Sequence, residues 1–152
     1  MADAEISIMA EVCYRDPRTA LDWLAAAFGC QTRLLVAGDD GALSFATAGW
    51  GAEAFAVIPE SPPGLSSPQA TGGVNTQRLH VTLADGLAAH CETARAAGAR
   101  IVVEPTTAFF GQFYTAADLE GHLWTFRQSS AANGPPPQGW SVTRPDPQGR
   151  NP

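Results

Sequence analysis

Positive charge is scarce in this sequence. Of the 152 residues, nine are lysine or arginine and fifteen are aspartate or glutamate, which gives a formal net charge of −6 and a pI near 4.8. Nucleic-acid backbones and anionic membrane surfaces are bound by clustered lysine and arginine, so this balance argues against both. We therefore expect the partner to be a small molecule.

Cysteines and long apolar runs are scarce as well. The three cysteines, Cys13, Cys30 and Cys91, are odd in number and form no CxxC pair, so we expect neither a zinc knuckle nor a disulfide framework. No apolar run approaches the roughly 18 residues that cross a bilayer, and the N-terminus lacks the basic region and apolar stretch of a signal peptide. These absences predict a soluble protein of the cytoplasm, with neither nucleic acid nor membrane as partner.

Two halves of the sequence share one series of landmarks. Each half begins with a strand of alternating apolar residues, followed by an aspartate and a helical segment. That segment ends at a glycine 13 positions after the aspartate. A second glycine, 22 or 23 positions after the first, begins the last strand of the half. The landmarks are Asp16, Gly29 and Gly51 in the first half, and Asp85, Gly98 and Gly121 in the second. Three landmarks in register predict a duplicated βαβββ module.

The repeat predicts an α+β fold in which two tandem βαβββ modules form a curved mixed sheet around a central cavity, with the helices on the outside. We expect one domain over residues 1–128, made of module 1 (about 6–58), a Pro- and Gly-rich linker (59–77) and module 2 (about 78–128). The linker can instead be a flexible loop over the site. Residues 129–152 form a Pro/Gly-rich C-terminal extension without apolar periodicity, for which we expect an extended or polyproline-like backbone.

Alternation assigns the side chains of each predicted strand to one of its two surfaces. In the stretch RLHVTL, the apolar residues at 79, 81 and 83 pack under the second helix, which leaves Arg78, His80 and Thr82 on the concave surface. The first and last strands add to that surface Met9, Glu11, Cys13, Leu123, Thr125 and Arg127. An acid, two bases and hydroxyls among apolar groups predict a ligand pocket.

Alternatives stay open for the charged members of this surface. Glu11 and Arg78 can neutralise each other as an interior ion pair, because a buried unpaired charge is costly. His80 can be a hydrogen-bonded histidine of the sheet, or it can contact a ligand or act as a general base with a pKa near neutrality.

A second polar cluster, DLEGH, lies just before an aromatic run near the end of the predicted domain. Asp118, Glu120 and His122 fall within five positions there. In the repeat this stretch is the tight turn into the last strand, where Gly121 supplies backbone freedom and the polar neighbours cap the turn. We therefore expect a structural role for Glu120 and His122.

Three stretches resemble a known family. They are YRDPRTALDWLAAAFG, ETARAAGARIVVEP and, above all, FFGQFYTAADLEGHLWTF. They are similar to the vicinal oxygen chelate superfamily, which includes glyoxalase I, fosfomycin resistance proteins, extradiol dioxygenases and bleomycin-binding proteins. The closest resemblance is to its glyoxalase-like branch with a DPEGH-aromatic signature, here DLEGHLW with Leu119 in place of proline. The resemblance covers roughly residues 6–128 and identifies a fold better than an activity.

The resemblance implies four metal-ligand positions, two in each module, on the first and last strands. Counting from the landmarks places Met9, Phe55, Arg78 and Thr125 there, and none of these side chains is a plausible ligand for a divalent metal. We therefore expect no metal cofactor. A register shift of two would instead bring in Glu11 and His80, with Glu53 as a further carboxylate, for an ion such as Zn, Ni, Fe or Mn.

Two functions are compatible with the resemblance. The first is a homodimeric, bleomycin-resistance-like protein that binds a small hydrophobic or aromatic molecule, with Arg78, His80 and Glu11 orienting it. Its further predicted contacts are Met9, Trp50, Phe55, Phe110, Phe113, Tyr114 and Thr125. The alternative is a lyase or isomerase, either metal-dependent through shifted ligands or with His80 or Glu11 as general base and Arg78 holding an oxyanion. A scaffold that only mediates assembly is the third, simplest hypothesis.

Overall fold

The computed structural model describes residues 6–128 and 134–144 of the chain. The helices and strands are β1 (Glu11–Tyr14), α1 (Pro17–Phe28), β2 (Gln31–Ala37), β3 (Leu43–Trp50), β4 (Glu53–Pro59), β5 (Leu79–Leu83), α2 (Leu87–Ala96), β6 (Arg100–Ala108), β7 (Gly111–Ala117) and β8 (Leu123–Gln128). A short 3₁₀ helix, Pro68–Thr71, interrupts the linker. Of the predicted C-terminal extension, residues 129–133 and 145–152 lie outside the described residues, and 134–144 contain a turn in which Trp140 N donates to Pro137 O.

The eight strands form two four-stranded mixed sheets with the same topology. The strand order is β1-β4-β3-β2 in the first sheet and β5-β8-β7-β6 in the second. The pairs β1–β4 and β5–β8 are parallel, and the remaining pairs are antiparallel. The predicted α+β class and the two βαβββ modules are confirmed.

The two helices begin differently although they occupy equivalent places. Asp16 caps α1, because its carboxylate accepts hydrogen bonds from the backbone N and the hydroxyl of Thr19 at 3.1 and 2.7 Å. In module 2 the residue before the helix is Gly86, whose φ of 74° requires a glycine, and the first N–H of the helix donates to the side chain of Gln128 at 3.0 Å. The aspartate at 85 therefore marks the repeat without capping the helix.

One hydrophobic core serves both modules. Phe28 at the end of α1 lies 4.8 Å from Phe126 and 5.4 Å from Trp124, measured between ring centroids. Phe55 of β4 approaches Trp124 at 5.2 Å. The helix-facing surfaces of both sheets thus meet in one cluster of buried side chains. The opposite surface of each sheet, called here its outer surface, faces away from that core.

Asp118, in the turn before β8, joins module 2 to module 1 at a buried position. Its carboxylate accepts hydrogen bonds from the hydroxyl of Tyr14 at 2.6 Å and from the indole N–H of Trp124 at 3.0 Å. Burial, and after it the negative charge of Asp118, raises the pKa of Tyr14 well above its ordinary value, so the phenol stays a donor.

Glu120 and His122 extend this connection to the start of module 1. The Glu120 carboxylate accepts from the backbone N–H groups of Arg15 and Asp16 at 2.7 and 3.1 Å. The Nε2 atom of His122 lies 2.7 Å from the carbonyl oxygen of Cys13. The structural role predicted for Glu120 and His122 is confirmed, and the structure adds that both cross from one module to the other.

Candidate functional site

The outer surface of module 2 carries the polar side chains that alternation predicts. Along β5, Leu79, Val81 and Leu83 are half-buried against the core, whereas His80 and Thr82 are exposed. Arg78 immediately precedes the strand and is exposed as well. The parity predicted for this strand is therefore confirmed.

The parity of β8 agrees with that of β5. Trp124 and Phe126 are fully buried in the core, and Thr125 between them belongs to the outer surface. Thr125 is directly opposite His80 in the register of β5 and β8, and its hydroxyl lies 2.9 Å from that of Thr115 on β7. These hydroxyls and the imidazole occupy adjacent places on three neighbouring strands.

His80 is close to two positive charges. Burial, and after it the charges of Arg127 and Arg78, lowers the pKa of His80 from its ordinary value of 6.5. The imidazole is therefore mainly neutral at pH 7. The predicted ion pair between Glu11 and Arg78 is absent from the described part of the chain.

An aromatic pair adjoins the basic side chains of module 2. Phe113 on β7 is directly opposite Arg127 on β8, and its ring lies 5.3 Å from that of Phe110 in the turn between β6 and β7. Both rings are half-buried. The structure thus brings Phe110 and Phe113, two of the predicted contacts, to the same surface as His80.

The outer surface of module 1 is more apolar. Leu34 and Val36 of β2 are 48% and 44% exposed and lie opposite Thr47 and Phe45 of β3. Glu11 is at the edge of the same surface, where it lies beside Ala56. Within one chain, Glu11 and His80 belong to the outer surfaces of different sheets and do not share one concave wall.

Three predicted aromatic contacts belong to the core instead. Phe55 and Tyr114 are buried because alternation along β4 and β7 turns them toward the helices. Trp50 is half-buried, and its indole N–H donates to the carbonyl oxygen of Phe28 at 2.9 Å. The prediction that these three side chains line the cavity is therefore wrong for their position in this chain. Whether any of them contacts a ligand stays a prediction.

Tyr114 has a partner that the sequence did not reveal. Its hydroxyl lies 2.6 Å from Nδ1 of His90 on α2, and the Nε2 atom of the same imidazole lies 3.3 Å from the carbonyl oxygen of Phe28. Burial raises the pKa of Tyr114, as a phenolic O–H in an apolar core requires. Helix α2 is thereby joined to both the second sheet and the first helix.

The positions that would hold a metal do not fit one. Met9 is half exposed, Arg78 carries a positive charge, Phe55 is buried in the core and the hydroxyl of Thr125 is engaged with a second threonine. Across residues 6–128 and 134–144, no group of three or more His, Cys, Asp or Glu side chains could coordinate an ion, and this includes the shifted set of His80, Glu11 and Glu53.

A cavity of about 310 Å³ lies beneath the linker. Its walls are β1, the linker, and the chain that leads into β5 and β8, and Glu11 is the predicted site residue that contributes to them. Asn75 holds the linker in place, because its side chain donates to Gly121 O at 2.8 Å and accepts from Leu123 N at 3.2 Å. Asn75 was not among the predicted site residues. The one signal for it in the sequence is its position in a linker rich in glycine and polar residues, which indicates a turn but no particular contact.

The fold and the open sheet surfaces define a class of protein, and comparison with known sequences agrees. The profile of the Glyoxalase/Bleomycin resistance protein/Dioxygenase superfamily matches residues 7–126, so the chain belongs to this superfamily. No curated protein matches the chain closely enough to serve as a relative.

Solved structures give the same fold. TioX from Micromonospora sp. ML1 is 29% identical, with a TM-score of 0.64 over 84% of this chain and 98% of TioX. TnmS3, an antibiotic binding protein from Streptomyces sp. CB03234, is 17% identical, with a TM-score of 0.61 over 86% of this chain and 99% of its own. FosX, a fosfomycin resistance protein from Listeria monocytogenes, is 10% identical, with a TM-score of 0.59 over 84% and 93% of the two chains.

No helix in the described ranges is both long and apolar enough to pass through a membrane.

Proposed function

We propose that this protein binds a small hydrophobic or aromatic molecule, as a homodimer and without a divalent metal. The observation that carries the proposal is the outer surface of module 2. There the half-buried pair of Phe110 and Phe113 adjoins His80, Arg127 and the hydroxyl of Thr125. An apolar wall with a few polar groups is the usual composition of a small-molecule site.

The direction of the outer surfaces supports the proposed homodimer. Because the helix-facing surfaces of both sheets meet in one core, the outer surfaces of a single chain point away from each other. A ligand enclosed between two sheets therefore needs a second copy, whose module 1 would lie opposite module 2 of the first. The exposed Leu34 and Val36 provide apolar area for such a contact.

Relatives with the same fold support the class of ligand. TnmS3 is an antibiotic binding protein and FosX is a fosfomycin resistance protein. For this chain we infer an amphipathic aromatic compound, because rings of Phe110 and Phe113 would contribute most of the affinity and the polar groups the orientation.

The test combines a fluorescent probe with sedimentation. N-phenyl-1-naphthylamine, a neutral aromatic compound, should bind with a micromolar dissociation constant, and sedimentation velocity should give a dimer. Phe113→Ala should weaken binding about tenfold because it removes an aromatic wall. Trp140→Ala, which removes an exposed aromatic side chain from residues 134–144, is the matched control and should leave affinity unchanged. A monomer that does not bind the probe would refute the proposal.

A lyase or isomerase activity is the second candidate. The observation that favours it is His80, whose lowered pKa leaves a neutral imidazole able to accept a proton at pH 7 beside the positive charge of Arg78. Turnover of α-hydroxycarbonyl or epoxide substrates by protein purified without chelators, abolished in His80→Gln, would establish it. Metal analysis of the same protein would show whether a divalent ion takes part.

A further inference from the structure

The basic side chains of module 2 form a compact group on its outer surface. His80 and Thr82 point to the same side of β5, and the charge of Arg78, just before the strand, acts on the His80 imidazole. Arg127 is directly opposite Thr82, the next residue of that side, on the adjacent strand β8. Neighbours of this kind lie close enough for long side chains to reach one small group.

This group is positive although the protein is acidic. The net charge of the chain is −6, yet the charges that act on the His80 imidazole are both positive. No carboxylate of the described residues is within ion-pairing distance of Arg78. A local field of opposite sign to the whole protein favours a negatively charged partner at this place.

Aromatic rings adjoin the same place. Phe113 is directly opposite Arg127, and its ring lies 5.3 Å from that of Phe110, while the buried hydroxyls of Thr115 and Thr125 are engaged with each other beneath this surface. Guanidinium groups donate paired hydrogen bonds to two oxygens of a carboxylate or a sulfonate. The rings would lie against an aromatic system attached to that anionic group.

We propose that the ligand is an aromatic acid whose anionic group is held by Arg78, His80 and Arg127 while its rings contact Phe110 and Phe113. This inference rests on the proposed function and specifies its ligand class. Two arginines and a histidine are too few for a nucleic-acid backbone, for which affinity grows with the number of phosphates contacted. A single anionic group on a small apolar molecule fits their number.

The test uses two probes that differ in one charge. 8-Anilino-1-naphthalenesulfonate carries a sulfonate, and N-phenyl-1-naphthylamine has the same rings without it. Titration followed by fluorescence should show tighter binding of the sulfonate to the wild type. Arg78→Gln should weaken binding of the sulfonate about tenfold and leave binding of the neutral probe unchanged, because a charge-assisted hydrogen bond is lost.

Two further variants distinguish the effect of a positive charge at position 78 from the effect of the net charge of the whole protein. Arg78→Lys keeps the positive charge and should retain most of the affinity for the sulfonate. Arg18→Gln removes the same charge from α1, where the guanidinium donates to Gly41 O, and should change neither titration. Circular dichroism and the thermal midpoint of each variant confirm that it is folded.

The outcomes distinguish this inference from the proposed function. If both probes bind equally well and Arg78→Gln changes neither affinity, the ligand need not be an anion, while the proposed function stands. If Arg18→Gln weakens sulfonate binding as much as Arg78→Gln does, the effect is one of overall charge and the inference fails. If neither probe binds the wild type, both proposals are refuted.

Discussion

The two modules share a topology but differ in their outer surfaces. In module 1 this surface presents Leu34, Val36 and Phe45, with the carboxylate of Glu11 at its edge. In module 2 the equivalent surface presents the exposed Arg78 and His80 beside the half-buried rings of Phe110 and Phe113. Hydrogen bonding and the shared core constrain the helix-facing side chains, whereas the outer side chains can differ without cost to the fold. A duplicated scaffold can thereby offer one ligand two different walls. They are the apolar wall of module 1 and the surface of module 2, called here the polar wall, in which basic side chains adjoin aromatic rings.

The largest effect should come from the core that both modules share. Trp124→Ala should lower the free energy of unfolding by about 3–5 kcal/mol, because a fully buried indole in contact with Phe28 and Phe55 is replaced by a cavity. Urea denaturation followed by circular dichroism measures it. We expect one transition, since the modules share one core, and two separate transitions would show that they fold independently.

The buried connection at Asp118 should give the next largest effect. Asp118→Ala removes the acceptor for Tyr14 and Trp124, and should lower the free energy of unfolding by about 2–4 kcal/mol. Tyr14→Phe, measured by the same urea titration, should cost less because it removes one hydrogen bond and leaves the carboxylate bonded to the indole. A greater loss for Tyr14→Phe would contradict this assignment.

A charge on the apolar wall should weaken the dimer. Leu34→Glu should raise the dimer dissociation constant about tenfold or more, since it places a carboxylate in the proposed contact. Ala26→Glu adds the same charge at an exposed position of α1 and serves as the control. Sedimentation at a series of concentrations would show the difference, and equal behaviour of the two variants would place the dimer contact elsewhere.

The smallest effect concerns the polar wall and pH. The pKa of His80 is lowered below 6.5, so protonation adds a third positive charge only as the pH falls below that value. The charged groups that act on it are Arg127 on β8 and Arg78 just before β5. Binding of 8-anilino-1-naphthalenesulfonate should strengthen about threefold between about pH 7.5 and pH 5.5. His80→Gln should abolish this change, and an unaltered pH profile in that variant would contradict the role of His80.

The sequence predicted the modules and the sides of β5 and β8, but it did not predict that Trp50, Phe55 and Tyr114 belong to the core. The alternation of Leu79, His80 and Val81 fixed one surface because apolar and polar residues take turns there. Tyr114 was selected by residue type and Phe55 by counting from Gly51, and neither criterion says on which side of a strand a ring lies. Only the pairing with helix-facing neighbours decides that.

A loop over the site was one interpretation of residues 59–77, but the contacts that hold this segment above its cavity could not be predicted. Residues 59–77 have no periodic pattern, and the contact of Asn75 with Gly121 and Leu123 joins positions more than 40 residues apart. The sides of strand β6 could not be predicted from alternation either. Register shifts after Ile101 and after Val103 interrupt the regular alternation of its side chains.

The shared core has a consequence for either half taken alone. A single βαβββ unit cut from this chain would expose the rings through which Trp124 contacts Phe28 and Phe55. Such a unit would need a partner to cover those rings. In the intact chain the linker makes that association intramolecular and independent of concentration. Neither half then has to be complementary to a copy of itself.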